Sequence, residues 1–206
     1  MRTVELRDAL SQISDIRLQM ARTELFRGYR PITVGFSGML GLLAASVQPY
    51  CIARPELELG RFLLLWCTVA SVSLIVIGME LIWSIRRTGA GFVRQTTLLA
   101  VEQFLPCVAV GGLLTLCVVR SSPDVAWMLP GLWSLLFGLG VFASARSLPR
   151  PVIWAGLYYV MCGCGCLLWG RGENALAAWQ MAVSFGGGQL LSAAILYWSL
   201  ERANGR

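Results

Sequence analysis

The residues best placed to do chemistry are acids and amides inside long apolar stretches. Glu102 is followed four residues later by Pro106, which cannot donate to the Glu102 carbonyl, so one position combines a carboxylate with a free backbone acceptor. Glu80 should lie at a similar depth on the preceding stretch, and two acids at one level could bind a cation or share a proton. They could equally pair with nearby arginines and lock helix ends. Their closeness to the membrane surface favours this structural role.

Three consecutive glycines, Gly186, Gly187 and Gly188, precede Gln189 near the middle of the last apolar stretch. Each glycine lowers helix stability by about 1 kcal/mol relative to alanine, and together they permit a helix break whose exposed backbone binds a substrate. They also permit close packing, with Gln189 hydrogen-bonded to a neighbour such as Gln103. We favour the packing interpretation.

Small residues recur at helical spacing in three of the apolar stretches and predict tight contacts between helices. These faces are Ser37, Gly41 and Ala45 in the first stretch, Ser134 and Gly138 in the fourth, and Ser184, Gly188 and Ser192 in the sixth. The spacing is compatible with contacts inside the chain and with contacts between chains.

Histidine is absent, and seven cysteines are present. Without histidine the chain cannot form histidine-ligated haem or zinc sites or use an imidazole base. Cys162, Cys164 and Cys166 alternate along a helix, so their thiols cannot converge on one metal ion. We therefore expect no catalytic residues, no metal, no cofactor and no enzymatic activity, and we leave open whether any cysteines pair.

Six apolar stretches must position all of these residues. They cover approximately 31–53, 60–84, 97–119, 126–145, 152–169 and 174–199. Each is long enough, at about 1.5 Å per residue, to cross a hydrocarbon core of about 30 Å. With 56% hydrophobic and 14% charged residues, the chain has no room for a second soluble domain. The sequence predicts an all-α polytopic membrane protein, in which residues 31–206 form one six-helix domain in the lipid bilayer.

The arginines predict the orientation of this domain. Thirteen of the seventeen basic residues lie on one predicted side of the membrane. They precede the first stretch, lie between the second and third stretches or between the fourth and fifth, or follow the sixth. The remaining four are Arg54, Arg61, Arg120 and Arg171. Because positive charge is retained in the cytoplasm, both termini should be cytoplasmic. This bias also explains the net charge of +6, so we expect no nucleic-acid partner. The use of arginine without lysine suggests a bacterium, and hence its inner (plasma) membrane.

Tryptophans give a second indication of the same orientation, since indole rings prefer the membrane surface. Trp83, Trp154 and Trp198 fall at the predicted cytoplasmic ends, and Trp127, Trp169 and Trp179 at the outer ends. Trp66 and Trp133 are expected to lie deeper.

Residues 1–30 predict a cytoplasmic amphipathic helix before the bundle. Its apolar positions recur at spacings of three and four: Leu6, Leu10, Ile13, Ile16 and Met20. Such a helix could lie in the membrane interface, pack beneath the bundle, or pair with the same helix of another subunit.

Six spans, an N-terminal helix and the face formed by Ser37, Gly41 and Ala45 resemble the substrate-binding subunits of energy-coupling vitamin transporters. This is a resemblance at the level of fold. It implies that the small-residue face of the first span would contact a partner subunit.

Three functions follow from these patterns. The favoured one is a non-enzymatic protein that acts through helix packing, as a homo-oligomer or as an accessory subunit of a membrane complex. The alternative is a transport or substrate-binding component, with a pocket between the third and sixth spans lined by Gln103, Gln189 and the glycine break at 186–188, to which Glu102 could be added. A membrane sensor that signals through the N-terminal helix is the third. No pattern indicates which small molecule such a pocket would bind.

Overall fold

The computed structural model describes residues 31–55, 57–88, 91–145 and 151–204. Within these residues the chain is helical and has no β-strand. The helices are α1 (Pro31–Cys51), α2 (Leu59–Thr88), α3 (Gly91–Ser121), α4 (Leu129–Ser144), α5 (Val152–Trp169) and α6 (178–204). Six helices are long and apolar enough to cross a membrane. The prediction of an all-helical fold with six candidate spans is confirmed, whereas the helix predicted over 1–30 lies outside the described residues.

Two of the spans are not purely α-helical. The fourth begins with a 3₁₀ segment, Pro123–Met128, that leads into α4. The sixth begins as Ala178–Met181, passes through a π-helical segment at Ala182–Gly187, and continues as Gly188–Asn204. A π-helical segment widens a helix locally and exposes backbone carbonyls that a regular helix would use.

The sixth helix starts at Ala178, four residues after the start predicted from the sequence. Before it, Leu176 adopts a left-handed backbone with φ of 54°. This conformation is unfavourable for leucine, and packing compensates for it because the Leu176 side chain is buried in the core. The chain therefore folds inward here and does not extend the helix.

The helices pack side by side in the order α2, α1, α6, α5, α4, α3. Helices α2 and α3, at the two ends of this order, contact each other much less than they contact α1 and α4. They are also the two least covered spans. We refer to the two ends of the bundle by the residues that mark them on α1, as the Pro31 end and the Cys51 end.

Apolar side chains fill the bundle in two clusters. The cluster at the Cys51 end contains Ala44, Ala45, Ile52, Phe62, Trp66, Leu176 and Met181. The cluster at the Pro31 end contains Val34, Val141, Val152 and Leu196. Between them, the ring of Phe137 on α4 lies 4.6 Å from that of Tyr159 and 5.7 Å from that of Phe185. Aromatic rings thus occupy the middle of the bundle.

Candidate functional site

The best-connected polar group inside the bundle is Gln48, near the end of α1. Its side chain is 1% exposed. The Trp66 indole N–H on α2 donates to Gln48 Oε1 over 2.9 Å, and Gln48 Nε2 donates to the Leu176 carbonyl over 2.9 Å. One amide therefore joins α1, α2 and the segment that precedes α6.

The sequence contains a signal for Gln48 that our sequence analysis missed. Gln48 follows Ala45 by three residues, so it continues the face of Ser37, Gly41 and Ala45. A polar amide on a face otherwise made of small residues is expected to be buried and hydrogen-bonded.

Gln180 on α6 is a second buried amide at the Cys51 end. It is fully buried, and its Nε2 donates to the Asn174 carbonyl over 2.5 Å. Ser184 Oγ donates to the Gln180 carbonyl, also over 2.5 Å. The Gln180 Oε1 atom is buried without a hydrogen-bond partner among the described residues. Gln180 therefore closes the turn between α5 and α6.

The glycine run of α6 allows close approach of helices on both sides. A side chain at Gly186 would overlap Leu42 of α1, and one at Gly188 would overlap the ring of Tyr159 of α5. Gly187 faces the Tyr158 hydroxyl, which donates to the Val183 carbonyl in the π-helical segment over 2.8 Å. Each of the three glycines thus makes room for a different neighbouring side chain, and the segment stays helical.

The small-residue face of α1 packs within the chain. Ser37, Gly41 and Ala45 are all buried, and the Gly41 position faces the backbone of Gly186 on α6. The resemblance to vitamin-transporter subunits implied a partner-facing role for this face. In the structure α6 covers it.

The small-residue face of α4 also packs within the chain, against α5. Ser134 is fully buried and donates to the Tyr159 carbonyl over 2.8 Å, and Gly138 faces the Gly156 carbonyl. On α6 the hydroxyl of Ser192 donates to the carbonyl of Gly188 in its own helix over 2.8 Å. The Ser134 and Gly138 contacts hold α4 against α5, whereas the Ser192 bond stays within α6.

The two intramembrane acids lie in different surroundings. Glu80 on α2 is half-buried and accepts a hydrogen bond from the Thr33 hydroxyl, which joins α1 to α2 at the Pro31 end. Glu102 on α3 is exposed, and so is Pro106 one turn later. Glu80 therefore serves as a contact between helices, while Glu102 points away from the bundle.

The two amides proposed for a pocket also have different neighbours. Gln189 lies beside Gly38 of α1, whereas Gln103 lies on α3, which packs on α4. The Gln103 Oε1 atom is buried and has no hydrogen-bond partner in the described part of the chain. The ring of Phe137 lies between Phe104 of α3, at 4.9 Å, and Phe185 of α6, at 5.7 Å. An α4 side chain therefore separates the third and sixth spans at this level.

The cysteines form no cluster in the described residues. All seven thiols are free, and no group of three or more Cys, Asp or Glu side chains in the described ranges could hold a metal ion. Along α5, Cys162 is half-buried, Cys164 is exposed and Cys166 is buried. The three alternating thiols therefore face different surroundings.

The outward sides of α2 and α3 are the least covered parts of the described bundle. Of the six spans, α3 buries the smallest share of its residues and α2 the next smallest. Each carries an open glycine: a Cβ at Gly78 on α2 or at Gly112 on α3 would meet no atom within 4 Å. No other helix of the described chain covers these two sides.

Comparison with known proteins does not add a relative. No family model, no curated protein and no solved structure matches this chain. The resemblance in span number to vitamin-transporter subunits is thus not accompanied by a match in sequence or in fold. The described helices and their contacts are the basis on which a function can be inferred.

Proposed function

We propose that the protein is a non-enzymatic subunit of a membrane assembly and that its contact surface is the outward side of α2 and α3. One observation carries this proposal. The small-residue faces of α1 and α4 are used inside the chain, while α2 and α3 remain largely uncovered.

The forces that bring helices together in a bilayer support the choice of the outward sides of α2 and α3. Apolar burial gives little driving force between helices in a bilayer, since lipid tails are as apolar as leucine, so association depends on close packing and polar contacts. The core helices obtain both from one another through Gln48, Ser134 and the glycine run. Helices α2 and α3 make such contacts with α1 and α4 through Trp66, Glu80 and Thr115, but they are the two least buried spans, so their outward sides are available to a neighbouring protein.

The filled interior favours an assembly role over transport. The rings of Phe137, Tyr159 and Phe185 pack against one another in the middle of the bundle. The Gln48 amide is bonded to a tryptophan and to a backbone carbonyl. A path for a polar solute would require these groups to separate and to lose their partners.

Photo-crosslinking in native membranes tests the proposal. A photoreactive residue is placed at Leu113 on α3, which is 62% exposed, and at the matched control position Met161 on α5, which is 65% exposed. We expect protein adducts from position 113 and lipid adducts from position 161. Equal protein adducts from both positions, or none from position 113, would contradict the proposed surface.

A further inference from the structure

The outward face of α3 has the spacing of a helix-packing seam. Five residues on it are exposed and follow one another at steps of three, four, three and four: Glu102, Leu105, Ala109, Gly112 and Leu116. This alternation keeps one stripe of a helix facing a second helix along several turns. Another step of four reaches Arg120, which is also exposed. We call these six residues the α3 seam.

The middle of the α3 seam is flat enough for close approach. Gly112 has no side chain, and a Cβ there would meet no atom within 4 Å. Ala109 adds only a methyl group. Small residues at the centre of such a stripe let the backbone of a second helix come near.

The two ends of the α3 seam carry opposite charges. Among the described side chains, the ion pair is formed by Arg61 and Glu58. Glu102 therefore has no ionic partner among them. On α3, the Phe104 ring lies against Gly140 of α4. Helix α4 ends at Ser144, four residues or about 6 Å beyond Gly140 and towards the Pro31 end. Glu102 therefore lies close to the Pro31 end of the bundle, and Arg120 lies near the Cys51 end.

This depth explains how the Glu102 side chain can face outward from a membrane span. An acid near the end of a span reaches the membrane surface at low cost, which it could not do from the midplane. If the Pro31 end is cytoplasmic, as the arginines predict, other membrane helices carry their basic residues at the same level. Glu102 is thus positioned to meet a cation of a neighbouring helix.

The charge pattern argues against a second copy of this chain in the same orientation. Two such copies packed through the α3 seam would bring Glu102 near its counterpart and Arg120 near its counterpart. Like charges brought into contact across an interface repel each other and disfavour such packing. A helix with a complementary charge pattern would carry a basic residue at the same depth as Glu102.

We propose that the α3 seam binds a transmembrane helix of a different protein. This partner helix carries a basic side chain at the same depth in the membrane as Glu102. This inference rests on the proposed function, and it names the surface and the charge of the partner. The backbone of the partner helix passes over Ala109 and Gly112. Its basic group forms an ion pair with the Glu102 carboxylate.

The test measures the yield of the protein adduct from the photoreactive residue at position 113 in variants of the full chain. We expect Glu102→Gln and Gly112→Leu each to lower the yield about tenfold, since a charge-assisted contact or a close helix approach is lost. Glu102→Asp keeps the charge and should retain most of the yield. Cys164→Leu is the matched control, because it places the same leucine side chain at an exposed position of α5, outside the proposed contact surface.

Peptide sequencing of the adduct identifies the partner helix, and a charge swap then completes the test. Glu102→Arg should abolish the adduct, and replacing the partner's basic residue by glutamate should restore it. An adduct with twice the mass of this chain would overturn the inference and leave the proposed function standing. So would a protein adduct that neither Glu102→Gln nor Gly112→Leu reduces. Absence of any protein adduct from position 113 would overturn both.

Discussion

At the scale of single residues, the most consequential side chain is Gln48, because it satisfies two buried partners at once. Replacing it by leucine leaves the Trp66 indole N–H and the Leu176 carbonyl without their partner. We expect Gln48→Leu to lower the free energy of unfolding by about 1–3 kcal/mol, as for other buried groups left unsatisfied. Denaturant unfolding in mixed micelles, followed by tryptophan fluorescence, measures this change.

Thr68 gives the control for that prediction. It is exposed on α2, and its hydroxyl donates to the Leu64 carbonyl of its own helix over 2.6 Å. Thr68→Val removes a polar group without disturbing another helix, so the stability should stay nearly constant. Equal effects of Gln48→Leu and Thr68→Val would show that the Gln48 network does not stabilise the fold.

The glycines make a second prediction at this scale. A Cβ at Gly188 would overlap the Tyr159 ring, whereas one at Gly78 would meet nothing. Gly188→Ala should destabilise the protein by about 1–3 kcal/mol through overpacking, and Gly78→Ala should stabilise it by up to about 1 kcal/mol through helix propensity. The same unfolding measurement applies. A stabilising Gly188→Ala would contradict the close packing of α5 on α6.

At the scale of helices, α3 is attached to the bundle mainly through α4. The Trp133 indole N–H donates to Thr115 Oγ1 over 2.8 Å, and the Phe104 ring lies against Gly140. Gly140→Leu would displace that ring and loosen α3. We expect faster hydrogen exchange of the α3 amides than in the unmodified protein, and unchanged exchange in α5.

Gly112→Leu is the control for the attachment of α3, since Gly112 lies on the outward side of the same helix. It should leave α3 exchange in the purified protein unchanged or slower. If Gly140→Leu and Gly112→Leu accelerate exchange equally, α3 is held by contacts other than those with α4.

At the scale of the whole molecule, the arginine distribution predicts the orientation in the membrane. Six membrane crossings would put both ends of the chain on one side, and the charge bias predicts that this side is the cytoplasm. A reporter that is active only in the cytoplasm should be active when fused after residue 204 and inactive when fused after Ser122. The reverse result, or activity at both positions, would refute this orientation.

The six candidate spans, their helicity and most of their limits could be predicted from the amino-acid sequence alone. These features are local: an apolar stretch must match the thickness of the bilayer, and its backbone must satisfy its own hydrogen bonds there. The range 152–169 predicted for the fifth span is the range of α5. The late start of α6 could not be predicted from the sequence, because it depends on a hydrogen bond between Leu176 and Gln48, which are far apart in the chain.

The neighbour that each polar or small residue meets depends on how the helices pack and could not be predicted from the sequence. The sequence predicts that Trp66 and Trp133 lie deep in the membrane, but their partners Gln48 and Thr115 lie on other helices. The small-residue faces of α1 and α4 were predicted from the sequence and are buried by the fold, whereas the α3 seam was not predicted and lies outside. The physical reason is that apolar helices fit lipid equally well on every side. Their rotation and their neighbours are therefore set by packing and hydrogen bonds between distant segments, which no local pattern records.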